Sequence, residues 1–294
     1  GEIAARAADV PETQTRLRDL VGHTVVRLLT GSVPRAEKEA IWSEAATGKA
    51  NLVIGTHALI QEGGSFHDLA LSVIDEQHRF GVNQRMALRQ KAYNPHVLVM
   101  SATPIPRTLA LTIYGDLDIS VLDELPPHRQ VVITRWLDPA ERERAYAFVR
   151  SQIEKKRQAF IICPLIEESE KSEAKAAVSE YERLKDEVFP GLRLALLHGR
   201  MKGAQKEGTM AAFQRGEYDI LVSTAVVEVG IDVPNATLML VEGANRFGLA
   251  QLHQFRGRVG RGPHQSYCLL LADSPTEGGE QRLKIIENTQ DGFV

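Results

Sequence analysis

The chain has 294 residues, of which 43% are hydrophobic and 25% are charged, and its formal net charge is -3. These values are typical of a globular protein with two ordinary domains, each large enough to bury a core. They exclude a uniformly basic coat for nucleic acid, although a local cluster of cations can still bind one. No apolar run reaches the roughly 20 residues that span a bilayer, and no signal peptide is visible, so we predict a cytoplasmic protein.

Short runs rich in Val, Ile and Leu alternate with longer amphipathic segments along the chain. Continuous apolar runs indicate strands buried on both faces, and their alternation with helices predicts an α/β fold with parallel sheets. The predicted strands cover residues 25–29, 52–55, 71–74, 96–100, 131–136, 159–165, 193–197, 219–222, 237–241 and 267–271. The predicted helices cover residues 34–46, 139–156, 172–188, 203–215 and 276–288. We find no internal repeat.

Two helix starts and one domain boundary are marked by prolines. Asp138-Pro139 and Ser274-Pro275 each place a capping side chain before a proline, which favours the first turn of a helix. Two consecutive prolines within residues 125–129 indicate a stiff connector between domains. We therefore predict domains at residues 1–127 and 128–273, followed by a helical segment at 274–294 that continues in a longer protein.

The two cysteines, Cys163 and Cys268, each lie in an apolar run that is typical of a buried strand. We predict that both are reduced and structural. Neither they nor the histidines show metal-ligand spacing, so a zinc site is not expected.

A strand predicted at residues 71–74 runs directly into two carboxylates, Asp75 and Glu76. Ligands of open α/β sheets bind at the carboxyl ends of the strands. A carboxylate there can hold Mg²⁺, and its neighbour can orient an attacking water. Strands often end in acidic residues, so the pair alone is weak evidence. The tetrad that continues through Gln77 and His78 is more specific.

Residues 251–262 contain three arginines and three glycines between Arg256 and Gly262. Guanidinium groups bind phosphate oxygens in a bidentate manner and neutralise charge during phosphoryl transfer. Glycines 257 and 260 allow the backbone to approach a neighbouring domain closely. The alternative is a basic surface turn, which would be the better interpretation of an isolated Arg-Gly-Arg.

Several other strands end in glycine, hydroxyl or histidine residues. Short hydroxyl side chains and exposed backbone amides are common phosphate contacts, and glycine lets a nucleic-acid strand come close. A polar loop that caps a buried strand has the same composition, so both interpretations stay open. Aromatic residues are 6% of the chain and show no base-stacking pattern. These strand ends contain Thr30, Gly31, Ser32, Gly55, Thr56, His57, Ser101, Ala102, Thr103, His198, Gly199, Arg200, Ser223 and Thr224.

Taken together, these motifs resemble those of superfamily 2 helicases, and in particular the RecG family of branched-DNA translocases. The resemblance covers roughly residues 28 to 294, and its most specific passages are residues 75–82, 103–111, 123–127 and 248–254. Residues 1–27 do not match the expected helicase segment. The transcription-repair coupling factor shares much of this pattern, but it usually has a second glutamate where Gln77 stands, and it lacks the passage at 123–127.

The resemblance implies two RecA-like domains, the first incomplete, with a C-terminal helix. It also implies a monomeric enzyme that uses ATP and Mg²⁺ and acts on branched or duplex DNA without reading its sequence. Asp75 would hold Mg²⁺, Glu76 would activate water, and Arg258 and Arg261 would complete the ATP site across the domain cleft. Residues 101–103 would couple nucleotide state to DNA, which the other strand ends would contact. The remaining nucleotide-binding residues would be Gln77, His78, Gly230, Asp232 and Gln254.

One essential element of such an enzyme is absent from this sequence. A P-loop requires Gly-x-x-x-x-Gly-Lys-Ser/Thr, whereas Gly48-Lys49 is followed by Ala50 and has Ser43 at the first glycine position. Only the start of the family's translocation hairpin, at residues 274–294, would be present. A second hypothesis is therefore a non-catalytic nucleic-acid-binding fragment.

Overall fold

The computed structural model describes residues 24–31, 33–59, 64–75, 95–101, 118, 120, 130–164, 170–224, 232–273 and 275–289. Within these ranges, ten strands and six α-helices follow the predicted alternation. The chain divides into two compact units, Gly1–Ala102 and Thr103–Val294. Within the same ranges, no helix is both long enough and apolar enough to cross a membrane.

The first unit contains two pairs of parallel strands. Strand β1 pairs with β2, and β3 pairs with β4. Helix α1 follows β1, and its residues Ile41 and Ala45 are buried. The elements are β1 (Val26–Leu29), α1 (Arg35–Ala46), β2 (Leu52–Gly55), a 3₁₀ turn (His57–Leu59), β3 (Leu71–Ile74) and β4 (His96–Val99).

The second unit is built on a six-stranded sheet in which every pairing is parallel, in the order β5-β10-β9-β6-β8-β7. Its strands are β5 (Ile133–Leu137), β6 (Gln158–Ile162), β7 (Leu194–Leu197), β8 (Ile220–Ser223), β9 (Ala236–Val241) and β10 (Tyr267–Leu271). Its helices are α2 (Arg142–Glu154), α3 (Glu170–Arg183, extended by a π-helical turn at Leu184–Val188), α4 (Gly203–Gln214), α5 (Leu249–Arg256) and α6 (Glu277–Asn288).

The central strands of this sheet are buried on both faces, as their continuous apolar sequences predict. Every residue of β6, β8 and β9 is buried. Successive side chains of a strand point to opposite faces, so each strand contributes to two cores. Phe160 and Ile162 belong to one core, while Ala159 and Ile161 belong to the other. The α/β fold with parallel sheets is therefore confirmed.

The two predicted helix starts have different outcomes. Pro139 begins a 3₁₀ turn before α2, and the backbone N–H of Asp138 donates to Glu141 Oε2 at 3.3 Å. Before α6, the cap is Thr276, whose hydroxyl accepts a hydrogen bond from the N–H of Gly279 at 3.3 Å. The sequence placed this cap at Ser274, which was wrong because Pro275 lies outside the helix and Thr276 adopts the extended conformation of an N-cap.

Both cysteines are buried and free, with exposed fractions of 4% for Cys163 and 0% for Cys268. Burial raises the pKa of the Cys268 thiol to about 12 and that of Cys163 well above its ordinary value. Because the thiolate is the reactive form, we expect neither thiol to react with an aromatic disulfide reagent in the native protein. Both should react in denaturant. Stoichiometric labelling of either cysteine under native conditions would contradict the burial.

Candidate active site and nucleic-acid interface

Two of the predicted phosphate-contacting segments lie side by side in the second unit. Residues His198, Gly199 and Arg200 follow β7, while Thr224 follows β8. These strands are parallel neighbours, and the N–H of Thr224 donates to the carbonyl of Leu197 at 3.3 Å. The sheet therefore brings the two segments together at the carboxyl edge where ligands of α/β folds bind.

The hydroxyl and imidazole groups at this edge are buried to different extents. Ser223 is 1% exposed, and its hydroxyl donates to the carbonyl of Thr224 at 2.8 Å, so it is already engaged by the backbone. By contrast, His198 Nδ1 and Thr224 Oγ1 are buried without a hydrogen-bond partner among the residues that the structure describes. Buried polar atoms without partners are uncommon, so these two atoms are candidates for a ligand contact.

The charges around His198 favour an anion. Burial lowers the pKa of the His198 imidazole, and the positive charges of Lys206 and Arg200 lower it further. Lys206 Nζ also donates to the carbonyl of Gly199 at 2.6 Å. Lys206, which lies in α4, was not among the predicted site residues. Its position in the first turn of the helix that follows the predicted loop could have identified it.

The arginine-rich segment that follows α5 contacts the segment that precedes β9. Arg261 Nη1 lies 3.9 Å from Asp232 Oδ1, and each side chain is 23% exposed. Arg261 Nε also donates to the carbonyl of Gly257 at 3.2 Å. Gln254 and Arg258 are partly exposed. The structure thus places two predicted nucleotide-binding residues, Asp232 and Arg261, within ion-pair distance.

Two glycines of this segment, Gly260 and Gly262, are required by close contacts within the second unit. Gly260 has φ +80°, and a Cβ atom there would lie 2.7 Å from Val132 Cγ2. At Gly262 a Cβ atom would lie 2.2 Å from the carbonyl oxygen of Pro234. The sequence suggested that Gly257 and Gly260 allow close approach to a neighbouring domain, whereas the contact at Gly260 gives a local reason for glycine there. At Gly257 the nearest atom to a Cβ would be the carbonyl oxygen of His253, at 3.4 Å.

The first arginine of the segment has a structural role. Arg256 is 5% exposed, and its Nη1 donates to the carbonyls of Ile286 at 2.8 Å and Thr289 at 2.6 Å, at the end of α6. Its Nη2 lies 2.8 Å from His253 Nδ1. Burial lowers the pKa of this guanidinium. Arg256 therefore caps α6, so its charge is directed at helix carbonyls.

In the first unit, the strand ends of β1 and β2 are also adjacent. Thr30 and Gly31 follow β1, and the N–H of Thr56, after β2, donates to the carbonyl of Leu29 at 3.3 Å. A Cβ atom on Gly55 would lie 2.1 Å from that same carbonyl oxygen. Gly55 is therefore required by strand packing, while Gly31 has open space around it.

Asp75 and Ser101 lie at the carboxyl ends of neighbouring strands. Asp75 directly follows β3, and Met100, which precedes Ser101, donates its N–H to the carbonyl of Ile74 at 2.8 Å. Both Asp75 and Ser101 are exposed. Across the described ranges, no three His, Cys, Asp or Glu residues form a metal-binding group. An exposed carboxylate such as Asp75 fits Mg²⁺, which proteins commonly hold through one or two carboxylates together with substrate phosphates.

Several predicted site residues lie outside the described residues. They are Ser32, Glu76, Gln77, His78, Ala102, Thr103 and Gly230, and for His57 only the backbone is described. Their proposed roles rest on the sequence.

Comparison with known families places helicase domains on both units. The DEAD/DEAH box helicase model matches residues 7–112, and the helicase conserved C-terminal domain model matches residues 141–263. The first match begins well before residue 28, so the prediction that residues 1–27 do not match a helicase segment was wrong. The RecA-like assignment of both parallel-sheet units is confirmed.

Curated relatives are ATP-dependent DNA helicases named RecG. The Synechocystis protein is 54% identical over 268 residues, covering 91% of this chain and 32% of its own length. The Thermotoga maritima protein is 52% identical, covering 91% of this chain and 34% of its own. The Bacillus subtilis protein is 49% identical, covering 91% and 39%. The chain thus spans about a third of the length of these relatives.

Solved structures agree with these relatives. A RecG bound to a three-way DNA junction has a TM-score of 0.77 and 45% identity, covering 100% of this chain and 38% of that one. The L327V variant of yeast Dbp5 bound to RNA and ADP BeF₃ has a TM-score of 0.65 at 15% identity, covering 96% of this chain and 72% of that one, and this likeness supports the fold only. The alternatives of a coupling factor and of a non-catalytic binding fragment are not favoured by these comparisons.

Proposed function

We propose that this chain, which belongs to the RecG family of superfamily 2 DNA helicases, forms part of the motor of an ATP-dependent translocase that acts on branched DNA. The observation that carries the proposal is the pairing of His198–Arg200 with Thr224 at the carboxyl ends of β7 and β8, in a unit that also contains an arginine-rich segment in contact with Asp232. The first group suits DNA phosphates, and the second suits a nucleotide.

In this proposal ATP hydrolysis uses the residues that the family resemblance assigns to it. Asp75 would hold Mg²⁺, and the bound ion would neutralise negative charge on the phosphates. Glu76 orients the attacking water, while Arg258 and Arg261 stabilise charge on the transferred phosphoryl group. Ser101, Ala102 and Thr103 couple this chemistry to DNA. Gln77, His78, Gly230, Asp232 and Gln254 hold the nucleotide.

DNA contact in this proposal is made through phosphates. The strand-end loops supply hydroxyls, backbone amides and a few cations, all of which bind phosphate without reading bases. No helix in the sequence carries the clustered Arg, Asn and Gln residues of proteins that read the major groove. The loops contain Thr30, Gly31, Ser32, Gly55, Thr56, His57, His198, Gly199, Arg200, Ser223 and Thr224.

The wider setting follows from family membership. We propose a cytoplasmic monomer that acts in DNA repair and recombination. Its RecA-like domains would occupy residues 1–127 and 128–273, and α6 would begin a translocation hairpin.

The test uses the full-length enzyme, a protein in which this chain follows a P-loop segment. Its affinity for forks of matched shape and scrambled sequence is measured by fluorescence anisotropy over a range of salt. We expect similar affinities for all sequences. We also expect log K to fall linearly with log[salt], with a slope of about −0.9 for each neutralised phosphate. A preference for one sequence above about tenfold, ~1.4 kcal/mol, would show base recognition and contradict the proposal.

A further inference from the structure

One βαβ segment of the first unit is repeated in the second. Strand β1, helix α1 and strand β2 correspond to β7, α4 and β8. At the start of the first copy, the N–H of Val25 donates to Asn51 Oδ1 at 2.9 Å, 26 residues away. In the second copy, the N–H of Arg193 donates to Asp219 Oδ2 at 2.9 Å, also 26 residues away. This repeat lies in the backbone framework, whereas the prediction of no internal repeat concerned the sequence itself.

The correspondence continues at the carboxyl ends of the strands. In the first copy, the N–H of Thr56 donates to the carbonyl of Leu29 at 3.3 Å. The equivalent bond in the second copy joins the N–H of Thr224 to the carbonyl of Leu197, again at 3.3 Å. The loops after β1 and β7 therefore have the same backbone framework beside them. Few side chains are identical, which explains why the repeat is hard to see in the sequence.

Each loop is held by a lysine from the helix that follows it. Lys38 Nζ donates to the carbonyl of Gly31 at 3.0 Å, and the two residues are seven apart. Lys206 Nζ donates to the carbonyl of Gly199 at 2.6 Å, with the same separation of seven. Both lysines are the fourth residue of their helix. The same cation thus occurs at the same place in both units, although neither lysine was among the predicted site residues.

We propose that Lys38 and Lys206 are equivalent DNA-backbone contacts, one in each unit, each using one ammonium hydrogen to hold its glycine loop and another to bind a phosphate. This inference rests on the proposed function and extends it to two unassigned residues.

The chemistry of the ammonium group supports direct contact with phosphate. Lysine has three N–H donors, of which the glycine carbonyl takes one. In the second unit, Thr224 Oγ1 and His198 Nδ1 lie at the same strand ends, buried and without a partner among the described residues. Thr224 is 3% exposed, so its hydroxyl is poorly placed for bulk water. A phosphate oxygen next to Lys206 could accept a hydrogen bond from this hydroxyl. In the first unit, Thr56 occupies the position of Thr224.

The experiment measures the salt dependence of binding to a three-way junction by the full-length enzyme. Lys38→Gln and Lys206→Gln should each make the slope of log K against log[salt] shallower by about 0.9, and the double variant by about 1.8. Lys38→Arg and Lys206→Arg should retain the wild-type slope, because arginine keeps the charge and the donors. Thermal denaturation of each variant checks that the fold is intact.

Lys155→Gln is the matched control. Lys155 is exposed, directly follows α2 and precedes the amino end of β6, whereas the loop that Lys206 holds follows the carboxyl end of β7. This variant should keep the wild-type slope.

Two outcomes would overturn the inference alone: glutamine variants with unchanged binding, or glutamine variants that bind more weakly with an unchanged slope. The second outcome would mean that the lysines only hold the loops. If wild-type binding itself did not depend on salt, the proposed phosphate-based function would fail, and this inference with it.

Discussion

Replacing Arg261 by alanine in the full-length enzyme is expected to abolish ATP turnover while leaving DNA affinity nearly unchanged. An arginine that stabilises the transferred phosphoryl group contributes roughly 10³–10⁵ in rate. The Arg261 side chain is 23% exposed, and its Nη1 lies 3.9 Å from Asp232 Oδ1. DNA-stimulated phosphate release and the Kd for a fork, measured on the same preparation, test both halves of the prediction.

Arg215→Ala provides the control for the loss of one guanidinium in the same unit. Arg215 is 61% exposed and pairs with Glu217 at 2.7 Å, so its removal should leave both turnover and DNA affinity near wild type. If Arg261→Ala kept its ATPase activity and lost DNA affinity instead, Arg261 would be a DNA-backbone contact, and its assignment to the nucleotide site would be wrong.

The strands of the second unit could be predicted because burial on both faces leaves a continuous apolar signature. Strand boundaries were less accurate where polar residues are fixed by tertiary contacts. The prediction began β8 at Asp219, whereas the strand begins at Ile220. Asp219 lies directly before the strand, and its carboxylate binds the side chain of Arg193 at 2.6 Å. A bond between residues that far apart in the chain has no local sequence signal.

Roles within a motif were harder to predict than the motif itself. The arginine-rich segment was correctly singled out, but its sequence does not distinguish Arg256 from Arg261. Arg256 donates to the carbonyls of Ile286 and Thr289 at the end of α6, about thirty residues later in the chain. Likewise, Gly55 reads as a site for close approach of DNA, yet the nearest atom to a Cβ there is the carbonyl oxygen of Leu29. Both facts depend on which elements become neighbours.

The repeated βαβ segment shows the opposite relation between sequence and structure. The spacing between its elements is preserved, while most side chains differ. A strand end, a loop glycine and a helix in this order can form the same backbone hydrogen bonds with many different sequences. The equivalence of Lys38 and Lys206 follows from the matching bonds that they make to the carbonyls of Gly31 and Gly199.

The chain by itself is expected to show negligible DNA-stimulated ATPase activity. A P-loop places several backbone amides and a lysine on the β and γ phosphates, and this sequence contains no such motif. Removing a single preorganised donor from a developing charge typically costs about 10²–10³ in rate, so the loss of a whole cradle should lower turnover by more than about 10³ relative to the full-length enzyme. Steady-state phosphate release, with and without a three-way junction, measures this difference.

The second unit should still fold, since the central strands of its sheet are buried, so a cooperative thermal transition should accompany the missing activity. Turnover comparable to that of the full-length enzyme would mean that Asp75, Arg258 and Arg261 position ATP without a P-loop, and the proposed division of labour in the nucleotide site would then be wrong.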